Sequence, residues 1–136
     1  ASNHFRMKYS FSEELTQKAK QLAIELGMQH VELERIACVK SKGSKSRRTI
    51  ARIHTIGKVM QLGMQQKPFY TIELISEKFD KQSEVEKAKT LIHELMHIPA
   101  GFKGGFRQHK PFVTARSVEE MFSRLQKREK FQALKA

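Results

Sequence analysis

Cysteine is almost missing from this chain of 136 residues: Cys38 is the only one, set inside an apolar run. An internal disulfide is therefore excluded, and the thiol reads as a small buried hydrophobe rather than a reactive group. Long apolar runs are missing too. None approaches the ~20 residues that a membrane-spanning helix needs, and no stretch has the layout of a secretory signal. The expectation is a cytoplasmic protein without a membrane partner. Low-complexity tracts and internal repeats are absent. Acidic residues are few, 14 against 26 basic ones, which leaves a formal net charge of +12.

That excess is uneven. Lys40, Lys42, Lys45, Arg47, Arg48 and Arg52 cluster between positions 40 and 52, and Arg124, Lys127, Arg128 and Lys130 form a second group. Such clusters suit an anionic partner or a solvated surface. One functional reading is accordingly a nucleic-acid-binding module, contacting phosphates through Lys40 to Arg52 and carrying a structural or latent metal. Aromatic residues make up only 8% and are poorly interleaved with the cations, so no recognised nucleic-acid-reading motif is present.

The length suits one domain. Ala1 to Arg6 fit no element, and Met7-Lys8-Tyr9 reads like a native start, so 1–6 are expected to be a cloning remnant or disordered and 7–136 to form the domain. Ser10-Phe11-Ser12-Glu13 has capping-box spacing, and Leu15, Ala19, Leu22 and Leu26 recur at helical period, which predicts a helix over about 11–26 ending at Gly27. Leu33 to Lys40 and Thr49 to Thr55 read as strands of a hairpin with a basic loop. Gly57 to Gly63 reads as a short helical turn. Pro68 opens a third strand, Phe69 to Ile75. Ser83-Glu84-Val85-Glu86 is a second capping box, starting a helix whose apolar stripe is Val85, Ala88, Ile92 and Leu95 and which Pro99 ends. A glycine-bearing loop follows, and Thr114 or Ser117 caps a last helix that buries Val118, Met121, Phe122 and Leu125. The fold class is α+β: helix, three-stranded sheet, helix, loop, helix.

The second helix carries His93-Glu94-Leu95-Met96-His97. Histidines four apart share one helical face, so both imidazoles can reach one ion, and the intervening glutamate can hold a metal-bound water. This HExxH pattern supplies two nitrogen ligands and a general base for a zinc hydrolase. A catalytic zinc needs a third protein ligand. The metzincin spacing would require Gly at 100 and His at 103, where this chain has Ala100 and Lys103. Glu119 and Glu120 are candidates from the last helix. His109 is the preferred one, because Pro99 forces the chain out of the helix and Gly101, Gly104 and Gly105 let it return. His54 and His30 are further alternatives, His54 also as a substrate contact on its strand. Lys89, one turn before His93, is discordant beside a cation, and is expected to turn to solvent or to pair with Glu86 or Glu73. An acceptor for the free ring nitrogen of His93 or His97 is expected as well, with Glu119 or Glu120 as candidates.

The stretch His93 to Pro99 followed by Gly104-Gly105-Phe106-Arg107-Gln108-His109-Lys110 resembles a family of small predicted metallopeptidases found mainly in archaea and some phages. Ala51-Arg52-Ile53-His54, the strand from Tyr70 to Ile75, and Ser76 to Asp80 after it carry the same likeness, which covers Met7 to about Leu125. The resemblance implies a zincin-like peptidase fold without a named substrate. A looser likeness joins His109-Lys110-Pro111-Phe112 to the SprT and Spartan-like proteases, in which a third histidine stands before Gly-Pro and an aromatic residue; Lys110 replaces that glycine here. Those proteases cleave proteins on DNA, which would suit the basic segment. The expected activity is zinc-dependent peptide hydrolysis, with His93, His97 and His109 on one Zn²⁺ and Glu94 as base. The strand from Phe69 to Ile75, if a sheet edge, would dock the peptide.

Overall fold

The computed structural model describes residues 6–102 and 104–135, so the reading of a remnant over 1–6 lies, apart from Arg6, outside the described residues. Four strands form one sheet in the order β1-β2-β4-β3: β1 (Lys8–Phe11), β2 (Ile36–Lys42), β3 (Ala51–Thr55) and β4 (Tyr70–Ile75). The α+β class holds. The sheet is larger than the three strands expected, because residues 8–11, of which only Phe11 was expected in the first helix, pair antiparallel with β2.

Helix α1 (Glu13–Glu25) accordingly starts at Ser12, not Ser10. The Ser12 hydroxyl accepts from the Leu15 amide at 3.1 Å, satisfying one of the free donors of the first turn. Gly27 follows the helix at φ +66°, the left-handed conformation that closes a helix end. Thr16 ties α1 to the sheet by accepting the Cys38 amide at 2.8 Å. Cys38 itself is fully buried, and that burial pushes its thiol up to about 12, in keeping with the inert reading.

The expected hairpin of β2 with β3 does not form. β4 lies between them, parallel to β2 and antiparallel to β3. The reason is visible in β4 itself: Tyr70, Ile72, Glu73, Leu74 and Ile75 are all buried, and a strand buried on both faces belongs inside a sheet. β4 is therefore not a sheet edge, and the docking role expected for Phe69 to Ile75 falls. The exposed edge beside the candidate site is β3.

Between β3 and β4 lies α2 (Lys58–Met64), the helical turn expected there. After β4 come the single turn α3 (Ser76–Phe79) and α4 (Glu84–Met96), the pentad-bearing helix. Ser83 caps α4 in a complete capping box: its hydroxyl accepts the Glu86 amide at 3.2 Å, and the Glu86 carboxylate accepts the Ser83 amide at 3.0 Å. Ala88, Leu91, Ile92 and Leu95 bury the inner face of α4 against the sheet and α1. Val85 does not join that stripe and is 47% exposed. The turn α5 (His109–Phe112) and the long α6 (Ala115–Lys135) complete the chain. Thr114 caps α6, its hydroxyl accepting from the Ser117 amide at 3.1 Å, and Val118, Phe122 and Leu125 pack on α4 side of the core. No described helix is long and apolar enough to cross a membrane.

On the sheet face away from α1 and α4, Glu73 is buried in a polar network. The Ser41 hydroxyl donates to it at 2.7 Å, His54 Nε2 donates at 2.8 Å, and the Arg52 guanidinium lies 3.7 Å away. Burial pushes the Glu73 carboxyl up, but these partners outweigh it and the net shift is downward.

Two stability outcomes follow from this packing. Ile92→Ala should cost about 2–5 kcal/mol in urea unfolding, whereas Val85→Ala should stay within about 0.5 kcal/mol. Because the folded-state pKa of Glu73 is depressed, its contribution is fully present above the ordinary value of 4.5 and is lost as pH falls through the folded value. Glu73→Gln should flatten the acid limb of the stability profile, and an unchanged limb would show that this network contributes nothing there.

Candidate metal centre

The end of α4 and the return of the chain at Arg107 build the site together. His97 occupies the C-cap position of α4, and its carbonyl accepts the Arg107 amide at 2.7 Å. In the other direction, His97 Nδ1 lies 2.8 Å from the Arg107 carbonyl. A carbonyl can only accept, so Nδ1 carries the proton and the Nε2 lone pair of His97 is free to point elsewhere. It points at His93: the two Nε2 atoms are 3.3 Å apart.

That return places His109 over the same spot. Its ring centroid lies 4.6 Å from that of His97 and 5.4 Å from that of His93. One ligand nitrogen from each of His93, His97 and His109 falls within 4.8 Å of the others. A tetrahedral ion with bonds of about 2.0–2.1 Å holds its nitrogens about 3.3–3.4 Å apart, the spacing of the His93–His97 pair. The protonation chemistry fits as well. Burial, followed by the neighbouring His97 and His109, lowers His93 to about 4. Burial also lowers His97; the Arg107 carbonyl opposes this and His109 reinforces it. Neutral imidazoles are the form that coordinates a metal.

Glu94 faces this cluster from the flank of α4, with a carboxylate oxygen 4.0 Å from His93 Nε2. It is 6% exposed, and burial pushes its carboxyl up to about 7. A cleft of about 520 Å³ opens onto the imidazoles, with Thr49, Ala51, Arg52 and Ile53 on one wall and Phe106 to His109 on the other. A second cavity of about 450 Å³ adjoins it past His93 and Glu94, lined by Arg48, Lys89 and Val118 among others. The long wall of the cleft is thus the edge strand β3 and the segment leading into it.

The other sequence candidates lie elsewhere. Glu119 pairs with Lys89, and Glu120 with Arg116 at 3.6 Å, so neither joins the cluster. Lys89 bonds Glu119 and lies over the Phe122 ring at 5.1 Å, while Glu86 feels its charge without forming a close ion pair with it. His54 is turned to Glu73 on the outer face of the sheet. His30 has a buried Nε2 without a hydrogen-bond partner and stands apart from the cluster. In the basic segment, Lys40 pairs with Asp80 at 2.7 Å and Arg52 with Glu73, so part of its charge is spent internally.

Sequence reasoning missed two supports. The acceptor for the spare ring nitrogen is the Arg107 carbonyl, not Glu119 or Glu120, and no side-chain pattern marks a backbone oxygen. Tyr70, treated only as a strand residue, donates its hydroxyl to the Gly105 carbonyl at 2.9 Å and meets Phe106 edge-on at 6.0 Å, tying the site loop to β4.

Three clustered imidazoles beside a buried carboxylate are the donor set of a metal-dependent hydrolase. Residues 7–134 match the family model described as "Putative phage metallopeptidase", and the chain belongs to that family. No curated protein and no solved structure matches the chain significantly.

Metal analysis separates the candidate ligands. Deleting an outer partner of a ligand typically weakens metal binding about 10–100-fold, so His109→Ala, which removes a direct donor, should cost at least about tenfold. Glu119→Gln should leave the metal content unchanged. The reverse pattern would move the third ligand to α6.

Proposed function

We propose that the protein is a zinc-dependent peptidase that hydrolyses peptide bonds, with His93, His97 and His109 as the metal ligands and Glu94 as the general base. The observation that carries this reading is the convergence of the three imidazole nitrogens within 4.8 Å, with Glu94 beside them. Three neutral nitrogen donors suit Zn²⁺, which tolerates a three-ligand site with one position left for water or substrate. When bound there, the ion supplies Lewis acidity, polarising a scissile carbonyl and making water acidic enough to be deprotonated near neutral pH.

The remaining work falls to the chain. Glu94 accepts the proton of the attacking water and delivers it to the leaving amine. Its burial keeps bulk water from competing for that proton. Arg107 holds His97 in the tautomer that offers Nε2. The edge strand β3 gives an extended peptide a partner for backbone hydrogen bonds along the cleft wall, in place of the buried β4. The substrate is therefore a peptide or protein segment presented as an extended chain.

Glu94→Gln keeps size and hydrogen-bonding capacity but cannot take up a proton. It should retain zinc at wild-type stoichiometry while peptide hydrolysis falls by at least about 100-fold. Retained hydrolysis in a zinc-loaded Glu94→Gln protein would remove the base from this carboxylate.

A further inference from the structure

The second cavity beside the imidazoles is continuous with the cleft. His93, Glu94 and Ala51 line both, so the two spaces meet at the candidate ligands. From there the cavity runs back along α4 past Thr90 to Lys89, about 6 Å along the helix axis before His93. Its other walls are the chain leading into β3, with Ile50, and the start of α6, with Ala115 and Val118. Its volume of about 450 Å³ is well above the roughly 150 Å³ of an apolar cavity that takes up benzene.

The wall offers fixed apolar surface. Ile50 and Ala51 are partly buried against the core, and Val118 is buried. The charges on the wall balance: Arg48 and Lys89 stand against Glu86 and Glu119. Lys89 is bonded to Glu119, and the Glu86 carboxylate accepts the Ser83 amide. A charged guest of either sign would give up hydration and meet a like charge. An apolar guest meets neither penalty and is favoured by leaving water.

We infer that this cavity is the specificity pocket of the cleft, and that it takes one large apolar side chain, leucine or phenylalanine, from a substrate residue next to the scissile bond. The inference rests on the peptidase reading of the cleft. A chain paired along β3 supplies the register. Ile53 lines only the cleft, Ala51 lines both spaces, and Ile50 lines only the second cavity. An extended ligand advances about 3.3 Å per residue, so it passes from the imidazoles to this cavity within about two residues. Ala115 sets the room available. It is small, exposed and the first residue of α6, and a larger side chain there would fill the space meant for the guest.

Ala115→Phe tests this without entering the core. A pool of short synthetic peptides, randomised at every position, is cut with zinc-loaded protein and the products are sequenced by mass spectrometry. The wild type should enrich Leu and Phe over Ala about tenfold at one fixed position beside the cut, the lower end of what an apolar pocket discriminates. Ala115→Phe should erase that enrichment and leave Ala and Ser accepted there. Ile50→Ala, which strips the opposite wall, should weaken it. No apolar enrichment beside the cut, enrichment of a charged residue there, or a Leu and Phe preference untouched by Ala115→Phe overturns the inference. A second measurement captures the same pool on zinc-loaded Glu94→Gln protein, where nothing is cut, and should show the same enrichment and the same loss in Ala115→Phe. Peptides captured with this preference but never cut by the wild type count against the peptidase reading alone. Peptides cut without it count against the pocket alone, and a pool neither captured nor cut overturns both.

Discussion

Everything at the candidate metal centre hangs on the two-way bonding between His97 and Arg107. One bond joins backbone to backbone at 2.7 Å, and the other runs from the imidazole to the Arg107 carbonyl at 2.8 Å. Together they close the loop after α4, set the tautomer of His97 and deliver His109, two residues on, to the open side of the imidazole pair. A flexible loop would make the third donor an entropic expense at each binding event. Here the cost is met in folding, and Tyr70 adds a second tether through Gly105. The site is therefore an extension of the core: the same α4 that buries Leu91, Ile92 and Leu95 presents His93, Glu94 and His97 on its neighbouring face.

Much of this was legible in the sequence where the information is local. The capping box at Ser83, the stop before Pro99 and the glycine-rich return to His109 each act over a few residues, and each appears where the pattern puts it. The sheet was harder because pairing is not local. Adjacency in the chain favoured a β2–β3 hairpin, yet β4 takes the place between them. The signal that could have revealed this is that Tyr70 to Ile75 carries apolar residues on both faces, Ile72 and Leu74 on one and Ile75 on the other, which suits an interior strand. Ser10 and Ser12 offered two similar caps, and only the pairing of residues 8–11 with β2 decides between them. The Lys89–Glu119 contact joins residues thirty positions apart on two helices and leaves no local trace.

The arrangement also shows how a strongly basic chain can accommodate a candidate cation site. Lys89 lies one turn before His93 on α4, but Glu119 and the face of Phe122 hold its ammonium group. Arg52, on the strand that walls the cleft, is paired with Glu73 across the sheet. Two positive charges that would oppose a bound ion are thus neutralised by partners belonging to the framework. Glu73 serves three neighbours at once, which explains why a carboxylate is kept in a strand otherwise suited to apolar residues.

The open edge of β3 carries a liability as well as an opportunity. Unpaired backbone groups on such an edge are open to another copy of the same strand, and β1 at the far end of the sheet is exposed along its whole length. Sheet proteins guard such edges by keeping them short and charged. β3 has five residues and β1 four, with Arg52 and Lys8 among them. The same few backbone groups would meet either an extended peptide or a second copy, and a net charge of +12 opposes the close approach of copies.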